Sequence, residues 1–359
     1  MITGIQQIGI GVSNISEAWK WYRDNFGMDI PLIDTPGTAD LISRYTGNKP
    51  HDFHNIVALN MQGGGGFDIW QYMSRKPEYI KYQVKLGDIG VFAAKIKAKT
   101  LKSSYLKFRL EDKDLVSYSV QKCPENKEHF FVTDRDNNHF QVIENEVVYK
   151  ETDALTGGVM GAIIGVSDME KSLEFYEKVL GYNKIIYNKE GVFRDFSSLP
   201  GGENKFKRVL LTHSKKRKGA FSELLGASEI ELLQVLDREP VKIYENRFLG
   251  DIGLFDISFA VQNMEEIKNH CKSLNYTFTV DSLLRVYENP GIYLTMPELT
   301  EHFAYIEDPD GNLIRFIETY NLKISEKLGW NINIKKRNPQ NPIPKWQLKK
   351  LSWNRFEEE

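Results

Sequence analysis

The chain has 359 residues, with 47 Lys and Arg against 49 Asp and Glu, so its formal net charge at pH 7 is −2. Hydrophobic residues make up 41% of the sequence, which is typical of globular proteins, and the balanced charge argues against nucleic-acid binding by the chain as a whole. No apolar run approaches the roughly 18 residues of a membrane span, and the N-terminal sequence lacks an export signal. Because Cys123 and Cys271 are also too few for a disulfide framework, we expect a cytoplasmic protein without nucleic-acid or membrane partners.

The first predicted elements are a strand over residues 5–12 and the helix that follows it. The strand is an apolar, β-branched run, as in a buried strand. Ser13 and Asn14 supply N-cap side chains, apolar residues then recur at helical spacing, and Gly27 predicts the end of the helix. The second half of the chain has the same pattern, with Ser167 and Asp168 before the helix and Gly181 at its end.

Three blocks of sequence occur in the same order in both halves of the chain. They are the strand–helix opening, an LGDIG segment, and a turn of the type DRDNN or DPDGN that leads into a strand. In the two halves, the LGDIG segments occupy 86–90 and 249–253, and the turns occupy 134–138 and 308–312. We infer a duplication, in which a unit of one strand, one helix and several strands occurs four times.

This repetition predicts the organisation of the chain. Two units form an N-terminal domain over residues 1–150, and two more form a C-terminal domain over 157–320. Weaker helices are expected near 116–120 and 264–274. Residues 321–359 form a basic tail, and we expect its aromatic residues to pack on the body: Trp330, Trp346, Trp353 and Phe356.

The openings IGIGVSNISEAWKWYRDNFGM and IIGVSDMEKSLEFYEKVLGY and the closing segment EDPDGNLIRFIE resemble the vicinal oxygen chelate superfamily, which includes glyoxalase I, extradiol dioxygenases and bleomycin-resistance proteins. The resemblance covers residues 1 to about 320. It implies an α+β fold of four βαβββ modules, paired into two U-shaped mixed sheets and followed by a C-terminal extension. It also implies a cup-shaped pocket for a small molecule, in a monomer or a homodimer.

In metal-dependent relatives, the ligands come from the first and last strands of the modules. Matching motif to motif places one such position on the first strand and one on the last strand of each module. In modules 1 and 2 these are Gln7 and Asp68, and Ala93 and Gln141. In modules 3 and 4 they are Gly161 and Glu231, and Asp256 and Arg315. The iron-dependent dioxygenases use the third and fourth modules, where this chain has glycine, aspartate and arginine. An arginine repels a cation, so we expect no metal there. Arg315, held by Glu231 and Asp256, would supply the positive charge instead; a plain buried ion pair is the alternative.

The first half retains Gln7, Asp68 and Gln141 at these positions. One carboxylate and two amides without histidine make a poor transition-metal site but suit hydrogen bonding to a polar small molecule. His129 and His302 follow a glutamate in similar EHF segments, so we expect equivalent strand positions. His129 would contact the bound molecule, and His302 is a candidate acid or base.

The sequence therefore predicts a protein that binds or transforms a small polar molecule, carboxylate or aromatic, with no cofactor expected. Arg315 would hold an oxyanion, and Glu231, Asp256 or His302 would transfer protons. One alternative is a lyase, isomerase or ring-cleaving dioxygenase that uses Fe, Mn, Zn or Ni with non-standard ligands. Another is a non-catalytic scaffold that binds a protein partner. The basic run at 215–218 is expected to be a solvated hairpin tip, with binding of a carboxylate or phosphate as the alternative.

Overall fold

Four copies of one unit, a strand followed by a helix and further strands, make up most of the chain in the computed structural model. The structure describes residues 1–283, 301–325 and 328–357. Module 1 consists of β1 (Ile2–Gly11), α1 (Ile15–Phe26), β2 (Ile30–Thr38), β3 (Asp52–Leu59) and β4 (Gly66–Tyr72). Module 2 consists of β5 (Gly90–Ala98), α2 (Leu101–Glu111), β6 (Gln121–Lys122), β7 (Glu128–Thr133) and β8 (His139–Glu144).

The second half repeats this order and adds a tail. Module 3 consists of β9 (Val159–Gly165), α3 (Met169–Lys178), β10 (Lys184–Gly191), β11 (Phe206–Thr212), the short helix α4 (Ser222–Leu225) and β12 (Glu229–Val235). Module 4 consists of β13 (Gly253–Val261), α5 (Met264–Ser273), β14 (Val280–Asp281), β15 (Glu301–Glu307) and β16 (Leu313–Thr319). The tail contains β17 (Asn321–Ser325), β18 (Trp330–Asn333) and α6 (Lys345–Leu348). The predicted α+β fold of four modules is confirmed.

Local signals explain where the helices begin and end. The Asn14 side chain accepts hydrogen bonds from the first backbone N–H groups of α1, and Gly27 ends that helix with φ of 61°. Asp168 caps α3 in the same way. The helix expected at 116–120 is wrong: module 2 places its helix at Leu101–Glu111. Only one narrow face of α2 is buried, and it includes a serine, so the apolar pattern there is weak.

The strands of the four modules form two curled sheets of eight, each of which combines one module from each half of the chain, while β17 and β18 of the tail pair with each other. One sheet has the order β14-β15-β16-β13-β1-β4-β3-β2, and the other has the order β10-β11-β12-β9-β5-β8-β7-β6. Module 1 thus pairs with module 4, through the antiparallel strands β1 and β13, and module 2 pairs with module 3, through β5 and β9. The halves 1–150 and 157–320 therefore do not form separate sheets. We call the concave face of the first sheet cup A and that of the second cup B.

The two LGDIG loops lock the halves together in a symmetric way. The aspartate of the first loop, Asp88, accepts a hydrogen bond from Arg238 in the segment that joins modules 3 and 4. The aspartate of the second loop, Asp251, accepts one from Arg75 in the segment that joins modules 1 and 2. Because each loop is held by a connection from the other half, the duplicated motif specifies contacts between the halves.

The largest core fills the space between the helices and the helix-facing sides of both sheets. A second core holds the tail against the body, where Ile343, Leu348 and Leu351 pack with Tyr149 and Leu224. Among the described residues, no helix combines the length and the apolar character that crossing a membrane requires.

Candidate functional site

The four matched positions of modules 1 and 4 meet at the bottom of cup A. Arg315 Nη2 lies 2.5 Å from Asp68 Oδ2, and Arg315 Nε lies 3.1 Å from Asp256 Oδ2. The Gln7 amide donates to the same Asp68 oxygen over 3.3 Å. The motif matching therefore identified side chains that lie together, although it expected them in two different sites.

Three further side chains, which the sequence did not single out, complete the bottom of cup A. Ser258 Oγ accepts a hydrogen bond from Arg315 Nε over 2.7 Å. The Tyr305 hydroxyl donates to Asp256 Oδ2 over 3.0 Å, and Asn55 donates to Asp68 Oδ1 over 3.2 Å. A signal for Ser258 did exist, because it follows Asp256 by two residues in a strand and so faces the same side of the sheet.

The Arg315 side chain is more accessible than the two carboxylates that it contacts. Its side chain is 13% exposed, against 2% for Asp68 and 0% for Asp256. Among the residues that the structure describes, none accepts a hydrogen bond from Arg315 Nη1. Two carboxylates thus fix one side of the guanidinium, while N–H groups remain that can donate to a bound molecule.

Burial raises the pKa of two carboxyl groups in cup A, Asp256 and Glu301. It raises the pKa of Asp256 to about 6, against the attraction of Arg315, and the neighbouring Asp68 raises it further. Burial also raises the pKa of Glu301, on the same face of β15 as Tyr305, while Arg315 lowers it. Asp256 is therefore a carboxyl group that titrates close to neutral pH.

Glu231 lies in cup B and does not contact Arg315, which corrects the expected pairing. Its Oε1 accepts hydrogen bonds from Arg208 Nε over 2.5 Å and from the Tyr187 hydroxyl over 2.7 Å. Its Oε2 accepts one from Lys95 over 2.9 Å. Burial alone would raise the pKa of Glu231, but the Arg208 and Lys95 charges hold it well below its usual range. The expected grouping of Glu231 with Asp256 and Arg315 is wrong because modules 3 and 4 belong to different sheets.

The remaining polar groups of cup B continue this buried network. Arg208 Nη1 also contacts both oxygens of Asp195, at 3.0 and 2.8 Å. His129 Nε2 lies 3.3 Å from Asp195, and the Gln141 amide donates to His129 Nδ1 over 3.2 Å. Arg208 and Glu231 have side chains at most 1% exposed. An apolar layer that includes Phe131 and Phe196 packs against the network: the Arg208 guanidinium lies 3.8 Å from the ring centre of Phe196, and the ring centres of His129 and Phe131 are 5.3 Å apart.

His302 faces away from cup A, so the expected equivalence with His129 is wrong. In β7 and β15, Phe131 and Tyr305 are the residues that pair with the matched positions Gln141 and Arg315. His129 precedes Phe131 by two residues, whereas His302 precedes Tyr305 by three and therefore points to the opposite face of its sheet. His302 Nε2 there lies 2.8 Å from Asp281, a residue that also contacts Lys268 of α5.

Sequence reasoning also missed the two cations of cup B. Lys95 could have been identified, because it follows the matched position Ala93 by two residues and so faces the same side of the sheet, in a strand whose only other charged residue is Lys97. Arg208 gave no such signal, since it lies in β11, which contributes no matched position. Its long side chain reaches Glu231 from the neighbouring strand.

A cavity of about 580 Å³ opens at the mouth of cup B. Phe131 and Leu199 belong both to its wall and to the apolar layer over the buried network. His139 also lines it, stacked on Phe92 at 4.7 Å between ring centres. The buried cations of cup B are not part of the wall, so this cavity lies outside the apolar layer.

Comparisons with known proteins agree with this architecture. Residues 159–316 match the family model of the Glyoxalase/Bleomycin resistance protein/Dioxygenase superfamily. A protein of Bacillus subtilis, provisionally described as a dioxygenase, has a similar structure with a TM-score of 0.56 and 14% identity, over 89% of this chain and 86% of that one. A variant of glyoxalase I from Zea mays has a TM-score of 0.53 and 13% identity, over 88% of this chain and 93% of that one. No curated protein sequence matches the chain. The chain therefore has the fold of these proteins, with two modules in each of its two sheets, and its residues 159–316 are similar in sequence to this superfamily.

Proposed function

We propose that the chain binds a small molecule with a carboxylate or other anionic oxygen in cup A, and that Arg315 supplies the positive charge for it. The observation that carries this proposal is the position of the guanidinium: it lies between Asp68 and Asp256, at a position where metal-dependent relatives have a ligand. An arginine fixed on one side by two carboxylates keeps its remaining donors in a defined direction.

The donor set of cup A does not fit a divalent metal. One oxygen of Asp68 and one of Asp256 already contact the guanidinium, and the other oxygen of each carboxylate accepts hydrogen bonds from neighbouring groups. None of the four matched positions holds a histidine, the ligand that zinc and non-haem iron favour. Among the residues that the structure describes, no group of three or more His, Cys, Asp and Glu side chains is arranged to hold a metal. Because a cation there would also be repelled by Arg315, we derive no chemistry through a metal.

Cup B fits a metal no better. Two of its matched positions, Ala93 and Gly161, have no ligand atom. A third, Glu231, is neutralised by Arg208 and Lys95. An apolar layer covers this network, so we assign cup B a structural role and place ligand binding in cup A.

In this proposal, Arg315 is the residue that touches the ligand. Asp68 and Asp256 position it, and Gln7 and Tyr305 in turn hold the two carboxylates. The guanidinium would stabilise negative charge on a ligand oxygen, in a site where few water molecules screen it. Glu231 and His302 lie outside this arrangement and are not part of the proposed site.

The test measures anion binding and metal binding on the same preparation. Isothermal titration with benzoate and its uncharged analogue benzamide should show binding of benzoate alone. Arg315→Lys should weaken it by about tenfold or more, because a charge-assisted hydrogen bond is lost. Arg135→Lys, at an exposed position, is the matched control and should change nothing.

Metal analysis of protein purified without chelator, followed by titration with Fe(II), Mn(II), Zn(II) and Ni(II), completes the test. We expect no stoichiometric metal. One tightly bound ion per chain that is lost in Asp68→Asn would overturn the proposal, as would equal binding of benzoate and benzamide.

A further inference from the structure

A second cavity, of about 570 Å³, lies at the end of β5 opposite the LGDIG loop, and most of its charged wall residues are basic. We call it the Lys97 pocket. Its charged wall residues are four cations and one carboxylate: Lys97, Lys216, Arg217, Lys345 and Glu223. They come from β5, from the loop after β11, from α6 and from α4, so the positive charge is assembled by folding and not by one run of sequence.

Lys97 is unusual among these charged residues because it is buried, and lysine side chains seldom are. The residue is 8% exposed, and its ammonium group donates to the Val147 carbonyl over 2.8 Å. No carboxylate of the described chain forms an ion pair with it. Its methylene groups pack on Gly157, where a Cβ atom would come within 2.6 Å of Lys97 Cε. This packing explains the position of the stem but not the presence of a charge.

Arg217 also has unused hydrogen-bonding capacity. Its Nη2 donates to the Leu180 carbonyl over 2.7 Å, whereas its Nε is buried and has no partner among the described residues. Burial lowers the pKa of both Lys97, to about 8, and Arg217. A buried cation that lacks a counter-charge, such as Lys97, is costly for a fold, so its presence points to an anion that is bound there.

From this geometry we propose that the Lys97 pocket binds a phosphomonoester of a small organic molecule. Lysine ammonium groups act as point charges, which suit the several oxygens of a phosphate dianion, while a carboxylate favours a planar arginine fork. In Arg217, Nη2 already donates to a backbone carbonyl, so the complete fork is not available to a carboxylate. The cavity is large enough for a metabolite-sized ligand, and apolar wall residues would contact its organic part: Val147, Val148, Leu224 and Ala227.

The C-terminal tail takes part in this pocket. Lys345 begins α6, and its ammonium lies 4.8 Å from the ring centre of Tyr149, another wall residue. The apolar side chains Ile343 and Leu348 anchor this part of the tail in the second core. The tail thus brings one of the four cations to a site whose other cations lie in modules 2 and 3.

Isothermal titration at constant ionic strength tests the proposal on the full chain, with glycerol phosphate, inorganic phosphate, glycerate and glycerol as probes. We expect one glycerol phosphate per chain, bound more tightly than inorganic phosphate, and no binding of glycerol or glycerate. Lys97→Met keeps the stem and removes the charge, and it should weaken glycerol phosphate by about tenfold or more. Lys99→Met, in an exposed pair with Glu151, is the matched control and should leave the affinity unchanged.

Thermal unfolding separates this role from a purely structural one. Without a probe, Lys97→Met should melt at the wild-type temperature or above, since a buried charge is removed. With glycerol phosphate, the wild type should gain stability and the variant should not. If Lys97→Met does not fold, Lys345→Met, at an exposed position, still tests the site, with several-fold weaker binding expected.

Three results would overturn the proposal. They are equal binding of glycerate and glycerol phosphate, equal binding of inorganic phosphate and glycerol phosphate, and equal losses in the variants at Lys97 and Lys99. The last would show general electrostatic attraction to a basic surface.

Discussion

Arg315 and Asp68, which come from the last and the first module of the chain, meet over 2.5 Å at the bottom of cup A. The contact exists because module 1 pairs with module 4 across β1 and β13. The site therefore depends on the whole chain and not on either half. Loss of this pair affects both the proposed binding site and the stability of the sheet.

Replacing Arg315 by alanine should destabilise the protein by about 3–5 kcal/mol, because two buried carboxylates lose their cation. Urea unfolding at neutral pH measures the change. Arg315→Lys should reduce the free energy of unfolding by less, since lysine keeps the positive charge and loses only the planar guanidinium with its several donors. Arg135→Ala, at an exposed position, should stay within about 0.5 kcal/mol of the wild type. A loss for Arg315→Ala no larger than that of this control would mean that the pair contributes little.

Restoring metal ligands in cup A tests whether its residues occupy the ligand positions. In a variant that carries both Asp256→His and Arg315→Glu, the cation is removed and two ligand side chains join Asp68 and Gln7. We expect Zn(II) and Mn(II) to bind this variant with one ion per chain and not the wild type. Adding Asp68→Asn should weaken the binding by about tenfold or more. If the double variant folds but binds none of Fe(II), Mn(II), Zn(II) and Ni(II), the assignment of these residues to the ligand positions is contradicted.

The matched positions could be found from sequence because they follow fixed motifs. Gln7 precedes the glycine and valine of the first opening by a constant step, and Arg315 follows the DPDGN turn by the same step that separates Gln141 from its DRDNN turn. These turns have a physical requirement for their residues: Asp308, for example, accepts hydrogen bonds from the backbone N–H groups of Asp310 and Asn312.

The pairing of modules could not be predicted in the same way. All four first strands are apolar runs of similar length, so pairing within a half would satisfy the strand pattern as well as pairing between halves. The contacts that accompany the observed pairing include Asp88 with Arg238 and Asp251 with Arg75. A single sequence shows the four residues but not their partners.

The error at His302 has a different cause. The segments EHFFVT and EHFAYIE look alike, but one extra residue separates His302 from its turn. Because side chains alternate across a strand, one residue moves the histidine from the cup to the helix side of the sheet. The step to the turn, by which Arg315 was selected, would have excluded His302 as well.

The stability of the protein should depend on pH through Asp256. Its ordinary pKa of 3.8 is raised to about 6 in the folded state, so the folded protein binds this proton more tightly than the unfolded chain. This group contributes roughly 3 kcal/mol to the free energy of unfolding below pH 4, and the contribution is lost as the pH rises through 6. Asp256→Asn removes the effect. The free energy of unfolding of the wild type, minus that of the variant, should therefore fall between pH 4 and pH 7. A difference that does not change with pH would contradict the raised pKa.

Two glycines of the first strands should tolerate no side chain, and for the same reason. A Cβ atom at Gly165 would lie 1.8 Å from the Asp88 carbonyl oxygen, and one at Gly11 would lie 2.0 Å from the Asp251 carbonyl oxygen. Both oxygens are backbone atoms of the LGDIG loops, so no side chain can move aside, and we expect Gly165→Ala and Gly11→Ala each to cost about 1–3 kcal/mol or more.

Gly226→Ala meets nothing within 4 Å but has φ of 69°, so it measures the backbone cost alone. Urea unfolding should place both strand variants below this control, and because the contacts are equivalent by the internal duplication, their losses should be similar. A loss in only one of them would mean that just one of the two LGDIG loops closes tightly on a strand of the other half.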